Sequence, residues 1–181
     1  MIETEQSIVI AASIERIWAF VEQIPNWAGL MPGLQDCTVI DASDSRWVLK
    51  VGVGGMVRTV KVDVHVDQWD GPERALFSFK LAGDPVAGGG AYTATRRSAS
   101  ETEIALAIHV VGSGPMAPMW EAMGRPLLPT FVRAFAGQLK AEIEKAPGPV
   151  AADPAQLSLL ARIGRWLRRM LKPADPPELQ P

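Results

Sequence analysis

The segment Met56–Gln68 alternates between apolar and polar side chains, and this pattern constrains the fold more than any other feature of the chain. Every second residue in its centre is a valine, namely Val60, Val62, Val64 and Val66. Successive side chains of a β-strand point to opposite faces, so these valines share one face of a sheet. Another element must cover that apolar face.

Six further segments have the alternation of strands, and clusters of glycine, proline and aspartate separate them. The connections are of hairpin length, which favours an antiparallel sheet. A helix is predicted after Ser13, a typical N-cap, a short helical turn over Asn26–Pro32, and a long helix from about Pro129 to Lys145. The predicted fold class is α+β, with an antiparallel sheet of about seven strands and a long C-terminal helix. The further strands are predicted over Ile2–Ile10, Leu34–Asp41, Arg46–Val53, Arg74–Leu81, Ala91–Arg97 and Glu103–Val111.

Two segments between the predicted elements have unusual compositions. Gly83–Gly90 is rich in glycine and predicts a turn between two strands. Gly112–Pro129 contains four prolines, three methionines and one tryptophan, and we expect it to be irregular. Methionine is flexible and polarizable, so it accommodates awkward apolar shapes. This segment and the loop around Trp27 either pack ordinarily beside a helix or form apolar gates at the mouth of a cavity.

The composition excludes several classes of protein. The single cysteine, Cys37, excludes an intrachain disulfide and a cysteine-rich zinc site. A formal net charge of −2 argues against a nucleic-acid binder. The first ten residues carry acids where a signal peptide would carry positive charge, which favours a cytoplasmic location.

The residues predicted to face the interior include almost no titratable group. General acid–base catalysis needs a proton donor or acceptor within hydrogen-bonding reach of the substrate. Tyr92, the only tyrosine, is the best candidate for a polar contact inside. The strand positions of His65 and His109 favour surface or structural roles. We therefore expect no catalytic residue and no metal site, and an apolar cavity that carries or senses a lipid-like ligand.

Four stretches of the sequence resemble the CoxG family of carbon monoxide dehydrogenase accessory proteins, within the START-like helix-grip (SRPBCC) superfamily. They are Ala11–Val21 (AASIERIWAFV), Met31–Cys37 (MPGLQDC), Val51–Gly55 and the Gly88–Gly90 run, and the resemblance covers residues 2–145. It implies a curved sheet that wraps the C-terminal helix over an internal cavity. It also implies a partner, because that family accompanies cytoplasmic molybdenum-containing carbon monoxide dehydrogenases and is implicated in their membrane association.

The predicted lining of the cavity combines inward strand residues, the two methionine-rich segments and the long helix. These ligand-binding residues are Trp27, Leu30, Met31, Val60, Val62, Val64, Phe77, Phe79, Tyr92, Leu106, Met116, Met119, Trp120, Met123, Phe131 and Phe135.

The last part of the chain has a different charge pattern. Residues 147–155 read as a proline- and alanine-rich linker, and residues 156–172 predict a helix that carries five cations on one face and apolar side chains on the other. Spanning a bilayer is excluded, because each cation would cost about 2.5–3.5 kcal/mol at its centre. The helix either packs on a protein or, as we favour, lies in the membrane surface. Its predicted membrane-binding residues are Leu160, Arg162, Ile163, Arg165, Trp166, Leu167, Arg168, Arg169, Met170, Leu171 and Lys172.

These features predict a ligand-binding domain over residues 1–146, the linker, the basic helix and a disordered end over residues 173–181. The expected function is a non-catalytic accessory protein without a covalent cofactor. It would bind an isoprenoid quinone or another lipid, dock on anionic lipids of the inner face of the cell membrane, and link a carbon monoxide dehydrogenase-type enzyme to the respiratory quinone pool. Two alternatives stay open: an enzyme similar to polyketide cyclases and aromatases, and a membrane-recruitment adaptor without a ligand.

Overall fold

The predicted antiparallel sheet is confirmed in a computed structural model that describes residues 1–53 and 56–145. Within these ranges, seven strands form one curved sheet in the order β1-β7-β6-β5-β4-β3-β2. All neighbouring strands are antiparallel. The strands are β1 (Ile2–Ile10), β2 (Leu34–Val39), β3 (Asp44–Val53), β4 (Met56–Asp70), β5 (Arg74–Leu81), β6 (Val86–Arg96) and β7 (Thr102–Gly112). The helices are α1 (Ile14–Val21), α2 (Ile24–Ala28) and α3 (Ala117–Lys145).

The register of the sheet brings the inward residues of neighbouring strands side by side. Val62 of β4 lies between Trp47 of β3 and Leu81 of β5. Tyr92 of β6 lies in the same way between Ala75 of β5 and Leu106 of β7. Residues directly opposite each other in an antiparallel pair share a face. The apolar rows that the alternation predicts are therefore one continuous inner face.

Helix α1 forms where the sequence predicts it. The Ser13 side chain accepts a hydrogen bond from the backbone N–H of Arg16 at 3.4 Å and caps the helix. Its apolar residues Ile14, Ile17 and Val21 are buried, as their spacing indicates.

Helix α3 begins twelve residues earlier than predicted, at Ala117 instead of about Pro129. The segment that we expect to be irregular is therefore mostly helical, and its residues Met119 and Trp120 reach the cavity from a helix and not from a loop. Pro126 and Pro129 lie inside the helix and each lacks an N–H for the helical ladder. Packing of this half of α3 over the sheet overrides the local preference, because tertiary contacts decide marginal helices.

Strand β6 also begins earlier than predicted, at Val86, and includes the glycine run. Gly88 pairs with Phe79 and Gly90 with Phe77 on β5. A Cβ on Gly88 would lie 2.5 Å from Cζ of Phe79, and one on Gly90 would lie 2.7 Å from Cζ of Phe77. The glycines are part of the strand because two aromatic rings cross over their backbone, and they do not form a turn.

The C-terminal half of α3 is fixed to β1 and α1 by polar contacts. Lys140 Nζ donates to the carbonyl oxygen of Val9 at 2.6 Å, and Glu144 accepts from the backbone N–H of Ala11 at 2.8 Å. Arg16 donates to the carbonyl oxygen of Ile143 at 2.5 Å. Fully buried side chains lie beneath this end, among them Ile10, Ile17, Ile104 and Leu139. The other half of α3 extends from this solid core over the rest of the sheet.

The predicted linker over residues 147–155, the basic helix over residues 156–172 and the end over residues 173–181 lie outside the described residues. None of the helices within residues 1–53 and 56–145 combines the length and apolarity needed to cross a bilayer.

Candidate ligand-binding cavity

A cavity of about 740 Å³ lies between the inner face of the sheet and α3. Strands β3 to β7 contribute their inward rows, and α3 contributes residues from Met119 to Leu139. Pockets that bind small molecules have volumes of roughly 300–1,000 Å³. The space is therefore large enough for a lipid-sized ligand.

The wall of the cavity is almost entirely apolar. Among the described lining residues, the titratable side chains are Arg58, Tyr92 and Glu121. Arg58 donates to both carboxylate oxygens of Asp84 at 2.9 Å, and Glu121 accepts from the Met1 amine at 2.5 Å. Both charged groups are already paired, so the Tyr92 hydroxyl is the titratable group left for a ligand.

Tyr92 is buried in the wall with a relative exposure of 4%. Its ring lies beside Trp18, with 6.2 Å between the ring centroids. Burial raises the pKa of Tyr92 well above its ordinary value, so the hydroxyl keeps its proton. Within the described part of the chain, this hydroxyl has no hydrogen-bond partner.

A second buried donor in the wall is the indole N–H of Trp27 at the end of α2. It also has no partner among the described residues. Trp27 packs edge-on against Trp47, with 5.0 Å between the ring centroids. The N–H of Trp47, in contrast, donates to Ser45 Oγ at 2.9 Å. A buried donor without a partner costs about 1–3 kcal/mol, so each is a natural contact point for a ligand.

The mouth of the cavity lies at the start of β4 and the start of α3. Val57 and Met119 line the cavity, yet their relative exposures are 62% and 42%. Arg58 lies over the Trp120 ring at this end, 5.4 Å from its centroid. The opening therefore has an apolar rim with one paired arginine.

The residues predicted to bind a ligand line the cavity, with two exceptions. Leu30 is partly buried and packs against the hydrophobic cluster that joins α1 and α3 to strands β1, β5, β6 and β7, but it does not line the cavity. Its neighbours Trp27 and Met31 do line the cavity, and they pack against a second hydrophobic cluster that contains Trp47 and the valines of β4. Met116 precedes the first residue of α3 and is 49% exposed, so it does not reach the wall. Leu30 and Met116 therefore do not line the cavity.

Several lining residues were missing from the predicted set. Trp47 and Leu49 of β3 belong to an inward row that the alternation indicates, so the alternation could have found them. Trp69 of β4 is out of phase with the valines of that strand, and it reaches the wall only after a register shift between Val66 and Gln68 that the alternation does not reveal. Leu127 and Leu128 were missed because their segment was expected to be irregular.

Both histidines and Arg96 lie away from the wall of the cavity. His65 is exposed, and its Nδ1 lies 2.9 Å from Asp44, whose hydrogen bond raises the pKa of the imidazole. His109 is exposed as well. Arg96 pairs with Glu15 and does not line the cavity. Residues 1–53 and 56–145 contain no cluster of side chains suited to hold a metal ion.

Comparison with known families gives one match that covers most of the chain. The sequence profile described as "Polyketide cyclase / dehydrase and lipid transport" matches residues 1–144. Comparison with curated proteins gives no match.

Solved structures with low sequence identity share the fold. A conserved protein from Geobacillus kaustophilus is 16% identical with a TM-score of 0.70, over 80% of this chain and 96% of that one. The Zhui aromatase/cyclase from Streptomyces sp. R1128 is 16% identical with a TM-score of 0.60, over 80% and 94%. A START superfamily protein from Mycobacterium smegmatis is 14% identical with a TM-score of 0.60, over 79% and 97%. At these identities the likeness shows the START-like fold alone.

Proposed function

The chain belongs to the polyketide cyclase / dehydrase and lipid transport family, and we propose that it binds and carries a lipid-like ligand without transforming it. The observation that carries this proposal is the apolar cavity of about 740 Å³. The two charged side chains among its described lining residues, Arg58 and Glu121, are both paired. An apolar wall of this kind favours retention of a ligand over acid–base chemistry.

The proposed ligand is an isoprenoid quinone. Such a molecule has negligible concentration in water, so a protein that carries it must collect it at a membrane. The resemblance to the CoxG family supports this choice, because a carbon monoxide dehydrogenase must pass its electrons to the respiratory chain. In this proposal the protein presents the quinone to a molybdenum-containing dehydrogenase of that type.

The proposed membrane contact is made by the basic segment over residues 156–172. Each cation close to an anionic leaflet contributes about 1 kcal/mol, and the segment carries five. Burial of its leucines and of Trp166 would add about 0.8 kcal/mol for each methylene removed from water. Ordering the segment subtracts several kcal/mol. The balance favours reversible attachment to the cytoplasmic face of the membrane.

A binding experiment with matched variants tests the carrier function. Tryptophans line the cavity, so a bound quinone should quench the fluorescence of the full chain during titration with decylubiquinone. Val62→Phe/Leu106→Phe fills the cavity from the inner face. Lys61→Phe/Ala107→Phe places the same rings on exposed neighbouring positions.

We expect saturable quenching in the wild type and the outer-face variant, and at least about tenfold weaker binding in the inner-face variant. Quenching that is equal in both variants would mean that the quinone does not enter the cavity.

An enzyme is the second candidate, and the unpartnered Tyr92 hydroxyl favours it. A buried phenol can polarise a carbonyl, and the Zhui aromatase/cyclase shares the fold. This alternative predicts that Tyr92→Phe abolishes turnover of a polyketide-like chain. The ligand-free adaptor predicts an interior filled by side chains, and the size of the cavity argues against it.

A further inference from the structure

Within residues 1–53 and 56–145, the two unpartnered donors belong to side chains at the inner end of the cavity, opposite its mouth. Val57 marks the mouth on β4, and Val66, nine residues further along, pairs with Phe77. Nine residues of extended strand span roughly 30 Å. Trp27 lies against Phe77, with 6.1 Å between the ring centroids.

Tyr92 belongs to the same inner end. It pairs with Ala75 on β5, two residues from Phe77 and on the same face. Ala75 in turn pairs with Trp69 of β4, which is still further from the mouth than Val66. Tyr92 and Trp27 therefore both lie around Phe77, in the part of the wall remote from Val57.

This inner end has donors but no positive charge among the described lining residues. The cationic lining residue, Arg58, is at the mouth and already paired with Asp84. An uncharged carbonyl oxygen can accept from a phenol or an indole N–H. A carboxylate buried here would lose its hydration without gaining a countercharge.

We propose that the cavity selects an uncharged lipid that carries a carbonyl oxygen, bound head-first with its chain toward the mouth. Tyr92 donates its hydroxyl hydrogen to the carbonyl oxygen, and Trp27 donates its N–H to an acceptor of the same head. The inference deepens the proposed carrier function and rests on it. Tyr92 and Trp27 then decide which lipid is held. The apolar wall contributes an affinity that is common to all lipids with hydrocarbon chains of equal length.

Equilibrium dialysis of the full chain with radiolabelled 2-tridecanone, tridecane and tridecanoic acid tests this selection. The ketone should bind more tightly than the hydrocarbon and the acid. Tyr92→Phe keeps the ring and removes the hydroxyl. It should lower the affinity for the ketone by about five- to fifteenfold and change the affinity for the hydrocarbon by less than twofold.

Trp27→Phe should likewise lower the ratio of ketone to hydrocarbon affinity. Trp47→Phe is its matched control, because that indole lines the same wall but already donates to Ser45, and it should leave the ratio unchanged. The C=O stretching frequency of the bound ketone is a second readout, and it needs no variant. A hydrogen bond should lower this frequency relative to the ketone in hydrocarbon solvent.

The outcomes separate the two levels of the proposal. Equal affinities for ketone and hydrocarbon, with an unshifted C=O stretch, overturn the selection and leave the apolar carrier intact. Tighter binding of tridecanoic acid overturns the uncharged head. Failure of every probe to bind overturns the carrier function together with this inference.

Discussion

The guanidinium of Arg58 on β4 lies over the indole ring of Trp120 on α3, 5.4 Å from the ring centroid. The same guanidinium donates to both oxygens of Asp84 in the β5–β6 connection. Three elements are therefore joined at the mouth of the cavity. Arg58 is more than half exposed, so this contact adds little to the free energy of unfolding. Its effect should fall on the opening of the mouth.

Arg58→Gln should accelerate ligand release. Loss of the guanidinium frees the start of α3 from β4, and the dissociation rate of bound decylubiquinone should rise by about three- to tenfold, measured by stopped-flow recovery of tryptophan fluorescence. Arg46→Gln is the control, because Arg46 forms an exposed pair with Asp63 and does not line the cavity. Equal rates in the two variants would contradict the role of Arg58 at the mouth.

Gly88→Ala should destabilise the protein by about 1–3 kcal/mol, as overpacking does. The new Cβ would lie 2.5 Å from Cζ of Phe79 and would also contact the carbonyl oxygen of His109. Gly137→Ala is the matched control at an exposed position of α3, where a Cβ meets no atom within 4 Å. It should stabilise by about 0.5–1 kcal/mol. Urea unfolding measures the free energy of unfolding of both variants. An unchanged value for Gly88→Ala would mean that the rings do not cross the glycine run.

The ionisation of Tyr92 can be followed without interference, since it is the only tyrosine in the chain. Burial raises its pKa in the folded state above the ordinary value of 10.0. The folded protein therefore retains a proton that the unfolded chain releases. Stability should be unaffected by this group below pH about 10 and should fall as the pH rises further.

The phenolate absorbance should accordingly appear only together with unfolding. Tyr92→Phe removes the absorbance and the part of the alkaline destabilisation that Tyr92 causes. A reversible phenolate signal near pH 10 in protein that is still folded would show that the hydroxyl is accessible to water.

The basic segment should control binding to anionic vesicles. Arg165→Glu/Arg169→Glu should weaken sedimentation of the full chain with phosphatidylglycerol-containing liposomes by at least about tenfold, and less so at high salt. Arg74→Glu/Arg133→Glu changes the net charge equally on exposed positions of the body. Equal sedimentation of the two variants would contradict specific binding of the vesicles by the basic segment.

Truncation after Ala146 is the complementary test, because Met1–Ala146 forms a compact unit. The truncated protein should stay folded and should remain in the supernatant. Equal sedimentation of the truncated and complete chains would assign vesicle binding to the body.

The alternation of apolar and polar residues was sufficient to predict the sheet. The valines of β4 occupy alternate positions of one strand, so their side chains point to the same face, and all four are buried there. Ser13 likewise predicted the start of α1 through a local hydrogen bond. These features depend on neighbours in sequence, and they were therefore accessible without the structure.

The elements that were misjudged depend on distant contacts. The start of α3 carries prolines that locally argue against a helix, and its packing over the sheet decides otherwise. The glycine run predicts a turn until the rings of Phe77 and Phe79 are seen to lie across it. The absence of a partner for Tyr92 within the described residues is also a property of the whole fold, which alternation alone does not reveal.

Organic extraction and mass spectrometry of the full chain, purified without detergent from a respiring host, test the central claim most directly. We expect a neutral, carbonyl-containing lipid at close to one molecule per chain, and much less of it in the cavity-filling variant Val62→Phe/Leu106→Phe. A wild-type protein that carries no lipid, or a variant that carries as much as the wild type, would contradict it.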